Sequence, residues 1–104
     1  MINVIATLTV QPGKGEVLEE AMAAARARTL ENPDCLRYDL QRVRRSETEY
    51  VMLEAWASPE ALKAHGSSEG FAELGKVLGG VVAAPPEVTV LEPLGKQVPL
   101  ADGD

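Results

Sequence analysis

Six side chains in this sequence have the chemistry to move a proton or hold a substrate: His65, Glu54, Trp56, Tyr38, Phe71 and Asn3. Four of them lie in one stretch, EAWASPEALKAHGSSEGF (54–71), which holds the sole Trp, the sole His and the sole Phe. The imidazole of His65 titrates near neutrality, so it can take or return a proton at pH 7. Packed and hydrogen-bonded at a helix end, it would instead be structural. Glu54 shares a strand face with Met52 and Trp56. Partial burial there would raise its pKa and make it a second candidate base; the alternative is an arginine partner across the sheet or across a dimer. Trp56 can wall a pocket for a flat aromatic or anchor the core. Phe71, at helical spacing from Leu74, belongs to the core or to a pocket mouth. Tyr38 and Tyr50 can donate to a substrate oxygen or pack with satisfied hydroxyls. Asn3 is polar in an apolar strand, where its amide can orient a substrate or bond nearby backbone. One Cys and one His do not make a metal centre of those ligands, and no metal site is expected.

The elements that must position these groups follow from periodicity. Residues 2–10 alternate as a strand, with Ile2, Val4, Ala6, Leu8 and Val10 on one face. QPGKG breaks it, and a helix is expected from Glu16 to Glu31, with Val17, Leu18, Ala21, Met22, Ala25 and Thr29 in period. Asn32-Pro33-Asp34 stops that helix. A second strand is expected over Leu36–Val43, with Leu36, Tyr38 and Leu40 facing one way. A third covers Glu49–Ala57 and is apolar on most positions of both faces. Ser58-Pro59-Glu60 is a helix start, with Ser as cap and Pro at the first helical position. That helix ends near Gly66, and Ser67 or Ser68 caps another carrying Phe71, Leu74, Leu78 and Val81 on one stripe. Pro85-Pro86 ends the helical stretch and Val88–Glu92 is a last strand. The order is β-α-β-β-α-β with the second helical unit in two pieces: an α+β, ferredoxin-like antiparallel sheet with helices on one face. Residues 1–94 make the domain, and 95–104 are an aperiodic tail, mobile or laid as an arm on a partner.

Composition narrows the partners. A chain of 104 residues with 45% hydrophobic content suits one globular domain. At this size folding buries roughly 65% of the unfolded surface. No apolar run approaches the ~20 residues of a membrane span, and the first residues lack the pattern of a signal peptide. The lone Cys35 fits a reducing cytoplasm. A net charge of −6 argues against nucleic acid or anionic membrane, and the short run Arg42, Arg44, Arg45 reads as a solvated hairpin. The helices leave one sheet face bare, yet the middle strands are apolar on that side and polar at its rim. A homodimer packed sheet against sheet is therefore expected.

Four segments, VIATLTVQPGKGEVLEEA, NPDCLRYDLQR, YVMLEAWASPEALKAHGSSEGF and PPEVTVLEPL, together resemble the antibiotic biosynthesis monooxygenase family, including its quinol monooxygenase type, over about Ile2 to Leu94. The resemblance implies a dimeric α/β barrel with a pocket between sheet and helices. It also implies oxygenation of a small quinol or phenolic by O2 with no bound cofactor. His65 would be the base with Glu54 as second candidate, and Trp56, Tyr38, Phe71 and Asn3 would contact substrate. The haem-degrading relatives' Asn, Trp and His fall near Ala6, His65 and Gly75, and the polyketide oxygenases' Asn, Trp and Tyr near Ala61, His65 and Phe71. Neither polar set is present. Two alternatives remain: an isomerase of a small phosphorylated metabolite, with Arg37, Arg42 and Arg44 as its nearest cations, and a non-catalytic dimeric binding module.

Overall fold

Four strands and three helices alternate in the expected order, and the computed structural model describes residues 1–98. They are β1 (Ile2–Thr9), α1 (Gly15–Thr29), β2 (Cys35–Arg42), β3 (Glu49–Trp56), α2 (Pro59–Gly66), α3 (Glu69–Gly79) and β4 (Glu87–Leu91). The sheet order is β2-β3-β1-β4, with every neighbour antiparallel. The first and third strands are thus central, as the βαββαβ order requires.

Strand register assigns every side chain to a face. Ile2 pairs with Trp56, Val4 with Glu54, Ala6 with Met52 and Leu8 with Tyr50. On the other side of β3, Tyr38 pairs with Glu54 and Leu40 with Met52. These residues form the inner face, on which α1, α2 and α3 lie. Leu18, Met22 and Ala25 of α1, Ala61 of α2 and Leu74 of α3 complete the buried cluster. Burying each large aliphatic side chain stabilises by about 1.5–3 kcal/mol, so this layer supplies the main driving force for folding.

One sequence expectation changes in β2. The pairing shifts between Cys35 and Arg37, where Cys35 faces Trp56 and Arg37 faces Ala55. Leu36 is the extra residue of this bulge. Cys35 therefore takes the inner position and Leu36 turns outward, 44% exposed. Burial pushes the Cys35 thiol up to about 11.

The caps anticipated from Ser58 and Ser68 form. Ser58 Oγ accepts from the Ala61 amide at 3.1 Å, with Pro59 opening α2. Ser68 Oγ accepts from the Phe71 amide at 3.2 Å and donates to the His65 carbonyl at 2.7 Å. This one hydroxyl joins the last turn of α2 to the first turn of α3, which fixes His65 and Phe71 relative to each other. No helix among the described residues is long and apolar enough to cross a membrane. Gln97 and Val98, the last described residues of the tail, border a groove on the outer sheet face, and residues 99–104 of the tail lie outside the described residues.

Candidate active site

A cavity of about 240 Å³ opens where the end of α1, the β2-β3 edge and the α2-α3 junction meet. Its wall includes Ala25, Arg28 and Asn32 from α1 and the loop after it, Tyr38 and Trp56 from the sheet, and His65, Ser68, Gly70, Phe71 and Leu74 from the helical pair. Inner-face parity of β2 and β3 delivers Tyr38 and Trp56. The capped turn at Ser58 sets the phase of α2, and that phase delivers His65.

Four rings gather on this wall. His65 lies 4.6 Å from Trp56, 5.1 Å from Phe71 and 5.4 Å from Tyr38, centroid to centroid. Tyr38 meets Trp56 edge-on at 6.4 Å. These separations are those of interacting aromatic pairs. Trp56 is fully buried, so it is a core anchor that also closes the cavity floor. Phe71, which helical spacing left between core and pocket mouth, is 45% exposed and forms the rim.

His65 is where the packing and the hydrogen bonding disagree. Its Nε2 is buried and has no hydrogen-bond partner among the described residues. Desolvation lowers the imidazole's pKa from its ordinary value, so the ring is neutral at pH 7. A structural histidine would have its nitrogens satisfied, since a buried unmet polar atom costs about 1–3 kcal/mol.

Glu54 lies on the inner face beside Trp56 and is not among the cavity-lining residues. Its Oε1 accepts from Trp56 Nε1 at 3.0 Å, a tryptophan partner in place of the arginine weighed above. Burial raises its pKa, and the indole N–H offsets part of that rise. Burial, and then the same carboxylate, push the Tyr38 phenol up, so Tyr38 keeps its proton and can donate it in a hydrogen bond. Trp56 thus touches both candidate bases, and of the two only His65 lines the cavity. Asn3 joins neither. It pairs with Ala55 and Leu91, and strand alternation puts it on the outer sheet face. The three arginines considered for phosphate are also elsewhere. Arg37 pairs with Asp39 at 3.0 Å on the outer face, and Arg42 and Arg44 are exposed at the β2-β3 hairpin.

The cavity residue that sequence reasoning missed is Arg28. Ala25, Arg28, Thr29 and Asn32 follow i, i+3, i+4, i+7, so a basic side chain stands beside the apolar stripe of α1 at its end. That spacing was the available signal. With His65 neutral, Arg28 is the one charged side chain among those lining the cavity.

A family model described as antibiotic biosynthesis monooxygenase matches residues 1–76, which include Tyr38, Trp56, His65 and Phe71. No curated protein sequence matches the chain. Among solved structures, the chain is similar to a candidate antibiotic biosynthesis monooxygenase from Caulobacter crescentus, at 37% identity and a TM-score of 0.85, covering 90% of each chain. A Pseudomonas aeruginosa protein matches at 29% identity and a TM-score of 0.81, over 90% of this chain and 94% of that one. A Mycobacterium tuberculosis protein matches at 28% identity and a TM-score of 0.85, over 93% and 98%.

Proposed function

The chain belongs to the antibiotic biosynthesis monooxygenase family, and from that premise we propose that it oxygenates a small quinol or related phenolic in the cavity beside His65, with no bound cofactor. The observation that carries this reading is the neutral, half-buried imidazole, its Nε2 buried without a partner, set among three aromatic rings. A phenolic hydroxyl in the cavity, met by a turn of the half-buried ring, supplies that atom's missing partner and meets a base able to accept its proton. The cavity volume of about 240 Å³ falls just below the ~300–1,000 Å³ typical of ligand sites, which suits a substrate of one ring or little more.

The chemistry belongs to the substrate. His65 removes a phenolic proton, and the electron-rich phenolate transfers an electron to O2. The resulting pair combines at the ring carbon beside the oxygen, forming a C–O bond and a peroxide that takes a proton from the imidazolium. Loss of the remaining C–H proton then breaks the O–O bond. One oxygen stays as a new ring oxygen and the other leaves as water. Quinol plus O2 gives hydroxyquinone plus H2O, with four electrons moved from carbon to oxygen. Tyr38, held protonated, is placed to donate to the developing negative charge. Trp56 and Phe71 hold the ring and exclude water. Glu54 acts through its bond to Trp56 and is a positioning residue in this scheme.

The same reading pairs two copies through the outer sheet face. Ile5, Val51, Leu53 and Ala55 lie on its central strands beside Asn3 and Thr7, and Arg37, Asp39, Gln41, Thr89 and Glu87 stand on its edge strands beside Leu91. A mainly apolar centre with a mainly polar border is the composition of an interface.

The test is oxygen consumption by purified, metal-stripped protein offered a panel of hydroquinones and anthrones, with His65→Ala alongside. Uptake above autoxidation that the variant loses is the expected result. No uptake over the whole panel would overturn the reading and favour a binding module.

A further inference from the structure

We propose that the cavity selects an aromatic substrate bearing a carboxylate, which the Arg28 guanidinium binds at the mouth in a space that Gly70 keeps open. This rests on the reading above for the place of the ring and adds the group at its far end. Arg28 stands on the cavity wall with Tyr38 and Phe71, and no acidic side chain shares that wall. In a chain of net charge −6, the cavity is thus lined by a cation and by no anion. Its charge is felt inside, since it lowers the pKa of the Tyr38 phenol against the larger effect of burial.

The guanidinium lies over Gly70 and has unused donors. A Cβ at Gly70 would lie 3.1 Å from Arg28 Nε, 3.3 Å from Cζ and 3.5 Å from Nη2. Those near-equal distances lay the flat group across the glycine, which any larger residue would push away. Among the described residues its sole charged partner is Glu73, with Nη1 3.6 Å from Oε2 and both side chains more than half exposed. At that length and exposure the pair is screened and contributes little. The fork of N–H donors matches a carboxylate in two parallel bonds, which a lysine cannot reproduce. A neutral quinol would use the rings and leave this fork idle. Free phosphate would use the fork and leave the rings idle.

The experiment is anaerobic titration calorimetry of the full chain at physiological salt. The ligands are 2,5-dihydroxybenzoate, its methyl ester and inorganic phosphate, against wild type, Arg28→Gln, Arg28→Lys and Gly70→Ala. The acid is expected to bind about tenfold or more tighter than the ester, the gain of a charge-assisted pair. Arg28→Gln should erase that preference with the ester's affinity unchanged, Arg28→Lys should keep part of it, and Gly70→Ala should reduce it. Equal binding of acid and ester by wild type, no effect of Arg28→Gln, or phosphate binding as tightly as the acid would each overturn the proposal. If neither acid nor ester binds, it falls together with the oxygenation reading. If the acid binds through Arg28 and no oxygen is consumed, the proposal stands and the oxygenation reading falls.

Discussion

Replacing His65 by Phe should make the protein more stable while removing its base. The imidazole carries a buried Nε2 without a partner, and such an atom costs about 1–3 kcal/mol. Phe removes that atom and keeps the ring contacts to Trp56, Phe71 and Tyr38, which contribute about 0.5–1.5 kcal/mol beyond area burial. The adjoining cavity of about 240 Å³ gives the slightly larger ring room to settle, and His and Phe have nearly equal helix propensity. The net expectation is a gain of about 1–2 kcal/mol at pH 8, or roughly 4–8 °C in Tm for each kcal/mol in a domain of this size. The pH dependence has a definite sign. The folded pKa of His65 is depressed, so as pH falls through about 6.5 the unfolded chain takes up a proton that the folded protein refuses. Wild type then loses stability by up to about 1.4 kcal/mol per pH unit until the folded pKa is reached. The Phe variant has no such loss, so its advantage should widen from pH 7.5 towards pH 5. Urea unfolding at four pH values in that range measures both effects. A variant less stable than wild type at pH 8, with a gap independent of pH, would mean that His65 is a satisfied structural residue.

Glu54→Gln keeps an acceptor for Trp56 Nε1 and removes a desolvated charge. Because the folded pKa of Glu54 is raised, wild type loses stability as pH rises above about 4.5; the Gln variant should match it near pH 4 and exceed it at pH 7 in urea midpoints, and a constant gap would contradict this. Gly15→Ala should destabilise despite the better helix propensity of Ala, by about 1–3 kcal/mol, because its Cβ would stand 2.6 Å from Tyr50 Oη and break that hydroxyl's 2.7 Å bond to Glu19. In a Tyr50→Phe background the severe contact is gone, leaving the Glu47 carbonyl oxygen at 3.3 Å and the ring at 3.7 Å, so the larger part of the penalty should vanish from the double-mutant cycle. Leu53→Arg, in the middle of the outer face, should leave the inner core folded and shift sedimentation at micromolar concentration from a two-chain to a one-chain mass; a single-chain mass for wild type would remove the dimer from the account.

Alternation and capping made most of the fold legible. Ser58-Pro59 and Ser68 marked two helix starts because a side-chain oxygen can meet amides that the first turn leaves open. The bulge at Leu36 was not legible, since Cys35 and Leu36 are both apolar and either can take the inner position. Alternation gives the two faces of one strand, and pairing decides how the faces of different strands coincide. For that reason alternation alone left Asn3 and Trp56 free to share a site, and the Ile2–Trp56 pairing puts them on opposite sides. The site was legible in its rings and its base, which are rare residue types gathered in 54–71 and at Tyr38. Arg28 was hidden because a cation at the edge of a helix stripe resembles any solvated arginine until a cavity is seen beside it.

The central claim is that the substrate, deprotonated beside His65, is attacked by O2 itself. The most direct measurement is mass spectrometry of the product formed under 18O2 in ordinary water, with wild type and His65→Ala. The account predicts one labelled oxygen atom per product molecule, water rather than hydrogen peroxide as the second product, and loss of both in the variant. An unlabelled quinone with stoichiometric hydrogen peroxide would contradict it.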